Sequence, residues 1–454
     1  MTAAKRASVA RRPARRGAAG RPRGFAVSRE PLTGAAIYEA VTPAGTPVIV
    51  RPMPGFSKAY ASLTTRFGSL DTHLPDGTLL PVGLAHFLEH KMFATPTGDV
   101  FDVYAKRGAS ANAYTTFSHT TYLFSCTSRF SENLRTLLET LHTMHADARG
   151  IEREKGIIGQ EIAMYDDDAS WRGYFNLLAA LYREHPIRLD VAGTRETIAP
   201  IDRKVLLATH AAYYHPANLV LVVAGDVDPA LVLSEASARL VAEDPGEAHR
   251  RAPTKEPLLP AHEERRQALS VSRPQVTLGI KDEPPNASGP ALLARETETE
   301  LLLDVLFGDG GTVEAPLYRE GIVDESFGAS YQAEPDCAFV AVSAEVDAEA
   351  PYRARLLEAI EAARRRGVRA EDLERARRRA IGGYLRIFNA PERIAGALLS
   401  LHLKDARLPD AVAALEAATP SRLSERLEAL LSRPRAWSVI EPRAAAAATS
   451  SVAG

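Results

Sequence analysis

The chain has 454 residues, 45% of them hydrophobic and 25% charged, with a formal net charge of −2. This balance describes a globular protein of two or more domains and excludes a fibrous or wholly disordered chain. No apolar run approaches the roughly 18 residues of a membrane-spanning helix, and two cysteines, Cys126 and Cys337, exclude a disulfide framework or a Cys-rich zinc site.

So few cysteines suit a reducing, cytoplasmic setting. Residues 1–24 hold eight Lys or Arg and no acid, which leaves −10 for the rest of a chain whose total is −2. This basic tail, rich in Ala, Gly and Pro, is expected to be disordered. It has no apolar core of a secretory signal and reads as a solvated leader, although its composition also resembles an organelle transit peptide. No nucleic-acid or membrane partner is expected.

In chain order, residues 37–39, 48–51 and 61–67 read as short strands and 82–93 as a helix. Residues 111–125 read as one or two strands joined near Ser118, 132–146 and 152–165 as helices, and 218–224 as a buried strand. The Pro-containing, mixed-charge stretch 243–267 reads as a linker. The mixture then recurs, with strands at 276–280, 339–346 and 437–440 and helices at 291–306, 351–366 and 370–387. Elements of similar length in both halves suggest a duplicated domain, although no residue-level repeat stands out. The expected organisation is a disordered basic tail (1–24), a catalytic domain (25–245), a linker (246–267), a second domain (268–443) and a flexible tail (444–454).

The most informative segment is Gly83-Leu84-Ala85-His86-Phe87-Leu88-Glu89-His90-Lys91-Met92-Phe93. On a helix, residues four apart share a face, so His86 and His90 can point at one metal ion. Glu89 sits beside that face, placed to take a proton from an attacking water. Zinc favours imidazole ligands and, in catalytic sites, a third protein ligand with one open position. Glu154 and Glu161 can provide it. They are seven residues apart, nearly on one helical face but about 10 Å apart along the axis, so one reaches the metal and the other orients a ligand or the base.

His-x-x-Glu-His is the inverted zinc motif, and the chain resembles the insulinase/pitrilysin family of metallopeptidases, which includes mitochondrial processing peptidase. The resemblance extends through Asn112-Ala113-Tyr114-Thr115 with Thr120-Thr121-Tyr122, His185-Pro186 with Gly193-Thr194, Tyr214-His215-Pro216-Ala217-Asn218 and Ala224-Gly225-Asp226. It is strongest over residues 35–230. It implies that His86, His90 and Glu161 hold zinc, that Glu89 is the general base, and that Glu154 supports a ligand from behind. Asn112 and Ala113 would lie on an exposed strand edge that receives the peptide by strand addition. The implied activity is hydrolysis of short or unfolded peptides. The implied fold is α+β, with two similar domains, each a mainly antiparallel sheet with flanking helices, in units that pair to enclose a chamber.

The sequence departs from the family where self-sufficient members carry an Arg and a Tyr that reach the substrate from the opposite domain. Here Tyr318 and Phe327 occupy those positions, with Arg319 one residue away from the first. A heterodimer whose other subunit supplies the Arg and Tyr is therefore expected, or else a homodimer; a non-hydrolytic scaffold is the alternative reading of the chain. Glu139, His142 and His145 read as one solvated helical face, and the Arg-rich stretches 364–366 and 375–379 as charged outer surface.

Overall fold

The computed structural model describes residues 24–443 except 96, 97, 243–246 and 248. Apart from Gly24, the tails expected at 1–24 and 444–454 lie outside the described residues. Strands β1 (Ala26–Arg29), β2 (Ala36–Val41), β3 (Pro47–Pro52) and β4 (Ala59–Thr65) open the chain. A two-stranded ladder follows, β5 (Ala94–Thr95) with β6 (Gly98–Asp99), and then β7 (Ser110–Thr115), β8 (Thr120–Cys126) and β9 (Leu219–Gly225). The first sheet is ordered β1-β2-β3-β9-β4-β8-β7, antiparallel throughout except for the parallel pair β3–β9. The second sheet, β10 (Glu264–Leu269), β11 (Gln275–Asp282), β12 (Gly328–Glu334), β13 (Cys337–Glu345) and β14 (Arg435–Pro442), is ordered β10-β14-β11-β13-β12 with β10–β14 parallel. Starting from β3, both sheets place five successive strands in the order first, fifth, second, fourth, third. The duplication suggested by recurring elements is therefore present in the topology.

Helices α1 (Leu84–Met92), α2 (Val100–Lys106), α3 (Phe130–Thr140), α4 (Ala148–Asp167) and α5 (Ala169–Leu181) lie between β4 and β9 in the chain. Strands β4 and β9 are buried at every position because helices cover both faces of the sheet. By contrast, β7 alternates exposed and half-buried residues, as an edge strand with one covered face should.

The two halves exchange a helix. α5 belongs to the first half by sequence but packs on β10, β11 and β14 of the second sheet, while helix Pro391–Leu403 packs on β3, β4 and β9 of the first. Each comes from between the fourth and fifth strands of its own half. Gly279 in β11 permits the close approach of α5, since a Cβ there would lie 2.7 Å from Cδ1 of Leu177. Leu177 and Leu181 are buried on one side of the exchange, and Ile394, Leu398 and Leu399 on the other. Burying each such side chain stabilises the joint by about 1.5–3 kcal/mol.

The segment between the halves is pinned rather than loose. Glu256 accepts from the backbone N–H groups of Arg183, Glu184 and His185 at 2.9, 2.8 and 2.7 Å and pairs with buried Lys281 at 2.6 Å. Arg251 makes a two-pronged pair with Asp336, both distances 2.7 Å. Residues 264–267, expected within the linker, begin β10. The helix expected over 132–146 stops at Thr140, where His210 Nε2 meets the Leu141 carbonyl at 3.0 Å in place of a further helical turn. His142 and His145 therefore lie beyond the helix and not on one helical face. Cys126 and Cys337 are free and buried. Arg364 and Arg366 pair with Glu428 and Asp372 at 2.8 and 2.7 Å. No helix among the described residues is long and apolar enough to cross a membrane.

Because each half packs on a helix from the other, unfolding should be a single cooperative transition. Leu177→Ala and Leu398→Ala should each destabilise that one transition by about 2–5 kcal/mol. Two calorimetric transitions, each moved by only one substitution, would contradict the exchange. A pH effect follows from Asp336. Burial raises its pKa, but hydrogen bonds from His185, Arg251 and the Thr254 N–H more than reverse this and hold it well below the usual range. Its stabilising contribution is thus present above about pH 4, the ordinary Asp value, and lost as the pH falls below it. The stability gap between wild type and Asp336→Asn, measured by urea unfolding, should narrow from pH 7 to pH 3.

Candidate metal centre

α1 enters its site through Gly83, whose φ of 89° is left-handed. A Cβ there would lie 2.6 Å from the Ala192 carbonyl oxygen, so glycine alone fits. The helix is buried on nearly every side. Leu84, Phe87, Leu88 and Met92 enter the hydrophobic core, which leaves His86, Glu89 and His90 gathered on the remaining face. α4, capped at its start by the Asp147 side chain, lies against it and presents Glu154 and Glu161.

The geometry separates the two glutamates. Glu161 Oε2 lies 3.7 Å from His86 Nε2 and 3.4 Å from His90 Nε2. Glu154 Oε1 is 3.0 Å from the other nitrogen of His90, Nδ1. His90 is therefore held between two carboxylates, one at each ring nitrogen. The second oxygen of Glu161 accepts from the Tyr165 hydroxyl at 2.6 Å. Tyr165 in turn stacks on Trp171 with ring centroids 4.3 Å apart, and Trp171 Nε1 donates to Asp190 at 2.8 Å.

These donors suit one divalent ion. One donor atom from each of His86, His90 and Glu161 falls within 4.8 Å of the others. The two N···O separations approach the ~3.3 Å edge of a tetrahedron built on bonds of about 2.0–2.1 Å. Burial, followed by repulsion from His90, pushes the His86 pKa down to about 4, which leaves its imidazole neutral with a free lone pair. Its Nδ1 is buried and without a hydrogen-bond partner among the described residues. Burial also acts to lower His90, but hydrogen bonds with Glu154 and Glu161 lift it to about 9. The hydrogen bond with His90 is the main reason Glu161 drops to about 2. A second group, His185, Asp336 and Cys337, is as close-knit but unsuited to a metal. His185 Nδ1 accepts the Ile187 N–H, so Nε2 carries the proton and faces Asp336 at 3.2 Å.

Glu89 lies beside the two histidines, and burial raises its pKa. Its Oε2 accepts from Thr115 Oγ1 at 2.6 Å, which ties it to the end of β7. On β7, Ala111, Ala113 and Thr115 turn inward, while Asn112 and Tyr114 are exposed. β7 is the outer strand of its sheet. The Ala113 N–H is capped by Asn112 Oδ1 at 2.9 Å. Away from this site, Tyr318 is exposed, Arg319 donates to the Ala315 carbonyl of its own helix, and Phe327 packs edge-on against Phe307 in the second core.

Comparison with known proteins agrees with this architecture. The family model described as Insulinase (Peptidase family M16) matches residues 80–195, and that described as Peptidase M16 inactive domain matches residues 200–380. The zinc protease YmfH of Bacillus subtilis strain 168, named as uncharacterized, is 37% identical over 398 residues, 84% of this chain and 91% of YmfH. The chain belongs to the insulinase (M16) peptidase family. A crystal structure titled as an M16-like peptidase from Alicyclobacillus acidocaldarius superposes with a TM-score of 0.85 at 33% identity, covering 92% of this chain and 99% of that one. Pitrilysin shares the fold, with a TM-score of 0.71 at 16% identity over 92% of this chain but 47% of its own. His86, Glu89, His90, Thr115, Glu154, Glu161 and Tyr165 all lie within the range matched by the first family model, 80–195, and outside that of the inactive-domain model.

Thr115 and Tyr165 carry no role that the motif spacing alone assigns. Thr115 was recoverable from strand alternation, which puts it on the inward face with Ala113, and Tyr165 from its position four residues after Glu161 on the helix. Removing a hydrogen bond that supports a ligand typically weakens metal affinity 10–100-fold. Tyr165→Phe should do so, measured by zinc competition against a chromophoric chelator; unchanged affinity would show that the hydroxyl does not orient Glu161.

Proposed function

We propose that the chain is a zinc metalloendopeptidase that hydrolyses short or unfolded peptides. His86, His90 and Glu161 would hold the zinc, and Glu89 would serve as general base. The observation that carries this reading is the placement of Glu89. A buried carboxylate sits beside two imidazoles and is hydrogen-bonded to the edge strand along which a peptide can lie. The names of the relatives as zinc proteases support the choice of metal.

Zinc, when bound, supplies Lewis-acid activation of the scissile carbonyl and of the attacking water. The protein does the rest. Glu89 takes the proton from the attacking water and passes it to the leaving amine. The Thr115 hydroxyl fixes the carboxylate so that its other oxygen faces the water. Glu154 keeps Nε2 of His90 turned toward the ligand position by holding Nδ1. The outer edge of β7 takes an extended peptide as an added strand, with the peptide carbonyl replacing Asn112 Oδ1 at the Ala113 N–H. Main-chain pairing of this kind is tolerant of sequence, which suits varied, unfolded substrates.

A second reading concerns partners. The chain spans 47% of pitrilysin, and Tyr318, Arg319 and Phe327 provide no Arg–Tyr pair at the centre. We infer that a homologous subunit, a second copy or a related chain, completes the site.

The test is hydrolysis of quenched-fluorescence peptides by the purified chain beside Glu89→Gln, with zinc measured in both. The substitution should lower cleavage by about 10²–10⁴-fold with zinc retained. Cleavage that survives it would remove Glu89 from the mechanism. Zinc binding without cleavage by the wild type would show that the second subunit is required.

A further inference from the structure

A cleft of about 1240 Å³ opens from the metal centre, lined by Glu89 and His90 and by Asn112 and Ala113 of the edge strand. Its wall carries Arg149, Arg153 and Arg203. Arg149 and Arg153 are exposed and four apart on α4, and among the described residues neither has an acid within 4 Å. Arg203 is steadied at the same wall by its Nε, which donates to the Ala146 carbonyl at 3.1 Å. The acids that share the cleft are already engaged. Asp99 caps α2, and Asp147 caps α4 through the Gly150 N–H and is balanced chiefly by buried Lys91, with Arg153 a lesser influence. Glu154 is bonded to His90.

We propose that this cleft recognises a carboxylate, so that the peptidase selects acidic residues about three to five positions from the scissile bond. The inference rests on the peptidase reading above. Three observations point the same way. First, Arg149 stands in the first turn of α4, which contains no acid; a cation there opposes the helix dipole and adds to its positive end, so the charge does not serve the helix. Second, the chain beyond its basic tail is acidic, at −10 out of a total of −2, so this positive wall is a local feature. Third, the spacing matches a peptide. Arg153 and Arg149 precede Glu161 by eight and twelve residues, about 12 and 18 Å along the helix axis. An extended chain laid along α4 in this cleft advances about 3.4 Å per residue, which would bring its third to fifth residues from the metal opposite the two guanidinium groups. Their planar forks suit bidentate pairing with a carboxylate. Ile157, partly exposed between Arg153 and Glu161, offers an apolar rest for the aliphatic part of a Glu side chain.

The test uses paired quenched-fluorescence peptides that differ only by Glu or Gln at positions three to five on either side of the cleaved bond, with amidated C-termini. The wild type should cleave the Glu peptide with kcat/KM at least about tenfold higher, because charge-assisted pairs are the strong ones. In Arg149→Gln/Arg153→Gln the ratio should fall toward one, and in Arg149→Lys/Arg153→Lys part of it should return. The outer-surface control Arg364→Gln should keep the wild-type ratio. A matched set with a free C-terminal carboxylate at the same distance separates the sources: a gain from internal Glu assigns a side chain, and a gain only from the free terminus assigns the chain end. Equal kcat/KM for all peptides in the wild type, or a preference that survives in the Gln double variant, would overturn the proposal while leaving the peptidase reading intact. If no peptide is cleaved, zinc content separates the causes: zinc bound shows that the second subunit is required, and zinc absent overturns the peptidase reading. Anisotropy of the same peptides on Glu89→Gln then decides the cleft, with tighter binding of the acidic peptide upholding it and equal binding overturning it.

Discussion

α1 buries an imidazole and a carboxylate, and half-buries a second imidazole, among apolar side chains, and buried polar groups must be satisfied within the protein. Much of the surrounding structure answers that requirement. The far nitrogen of His90 meets Glu154, both imidazoles face one oxygen of Glu161, and Glu89 takes the Thr115 hydroxyl. The donor set left over, two Nε2 atoms and one carboxylate oxygen, is the chemistry that a zinc ion completes. The same burial that makes the arrangement demanding keeps His86 neutral and raises the pKa of Glu89.

The second half of the chain bears on this site through the exchanged helix. Asp168 ends α4 and caps α5, so the helix carrying Glu161 runs directly into the helix that docks on the second sheet. Trp171, near the start of α5, stacks on Tyr165, and Tyr165 holds Glu161. A support chain thus leads from the second sheet to Glu161, the proposed third ligand. The second half has its own counterpart of α1 in the topology, helix Gly289–Phe307, which lies between the second and third strands as α1 does. That helix contains no histidine, and its Leu301, Leu302 and Leu306 go into the second core. On the proposed reading, duplication has left one half to hold the chemistry and the other to brace it.

The sequence made the centre legible because helical spacing is rigid. Four-residue separation of His86 and His90, and seven-residue separation of Glu154 and Glu161, place side chains on one face whatever the tertiary context. Which glutamate faces which ring nitrogen was beyond periodicity, because it depends on how α4 slides along α1. Strands β4, β8, β9, β11, β13 and β14 were readable from apolar content. β10 was not, since Glu264, Arg265 and Arg266 look like linker on an edge strand exposed to solvent. β12, half-buried with Gly328, Ala329 and Ala333, was missed for a related reason. α5 escaped because its face is apolar on the side that meets the other half, a partner more than 90 residues away along the chain. No local pattern encodes such an exchange. The end of α3 at Thr140 was likewise set by a distant residue, His210, and not by a local stop signal.

The most direct test of the account is the zinc K-edge absorption spectrum of the purified chain loaded with one equivalent of zinc. The structure predicts one site with two imidazole nitrogens and oxygen donors at about 2.0–2.1 Å and no sulfur, since neither buried cysteine, Cys126 nor Cys337, is grouped with His86, His90 and Glu161. A spectrum with sulfur at about 2.3 Å, or zinc held without imidazole, would place the metal elsewhere and contradict the assignment of His86, His90 and Glu161.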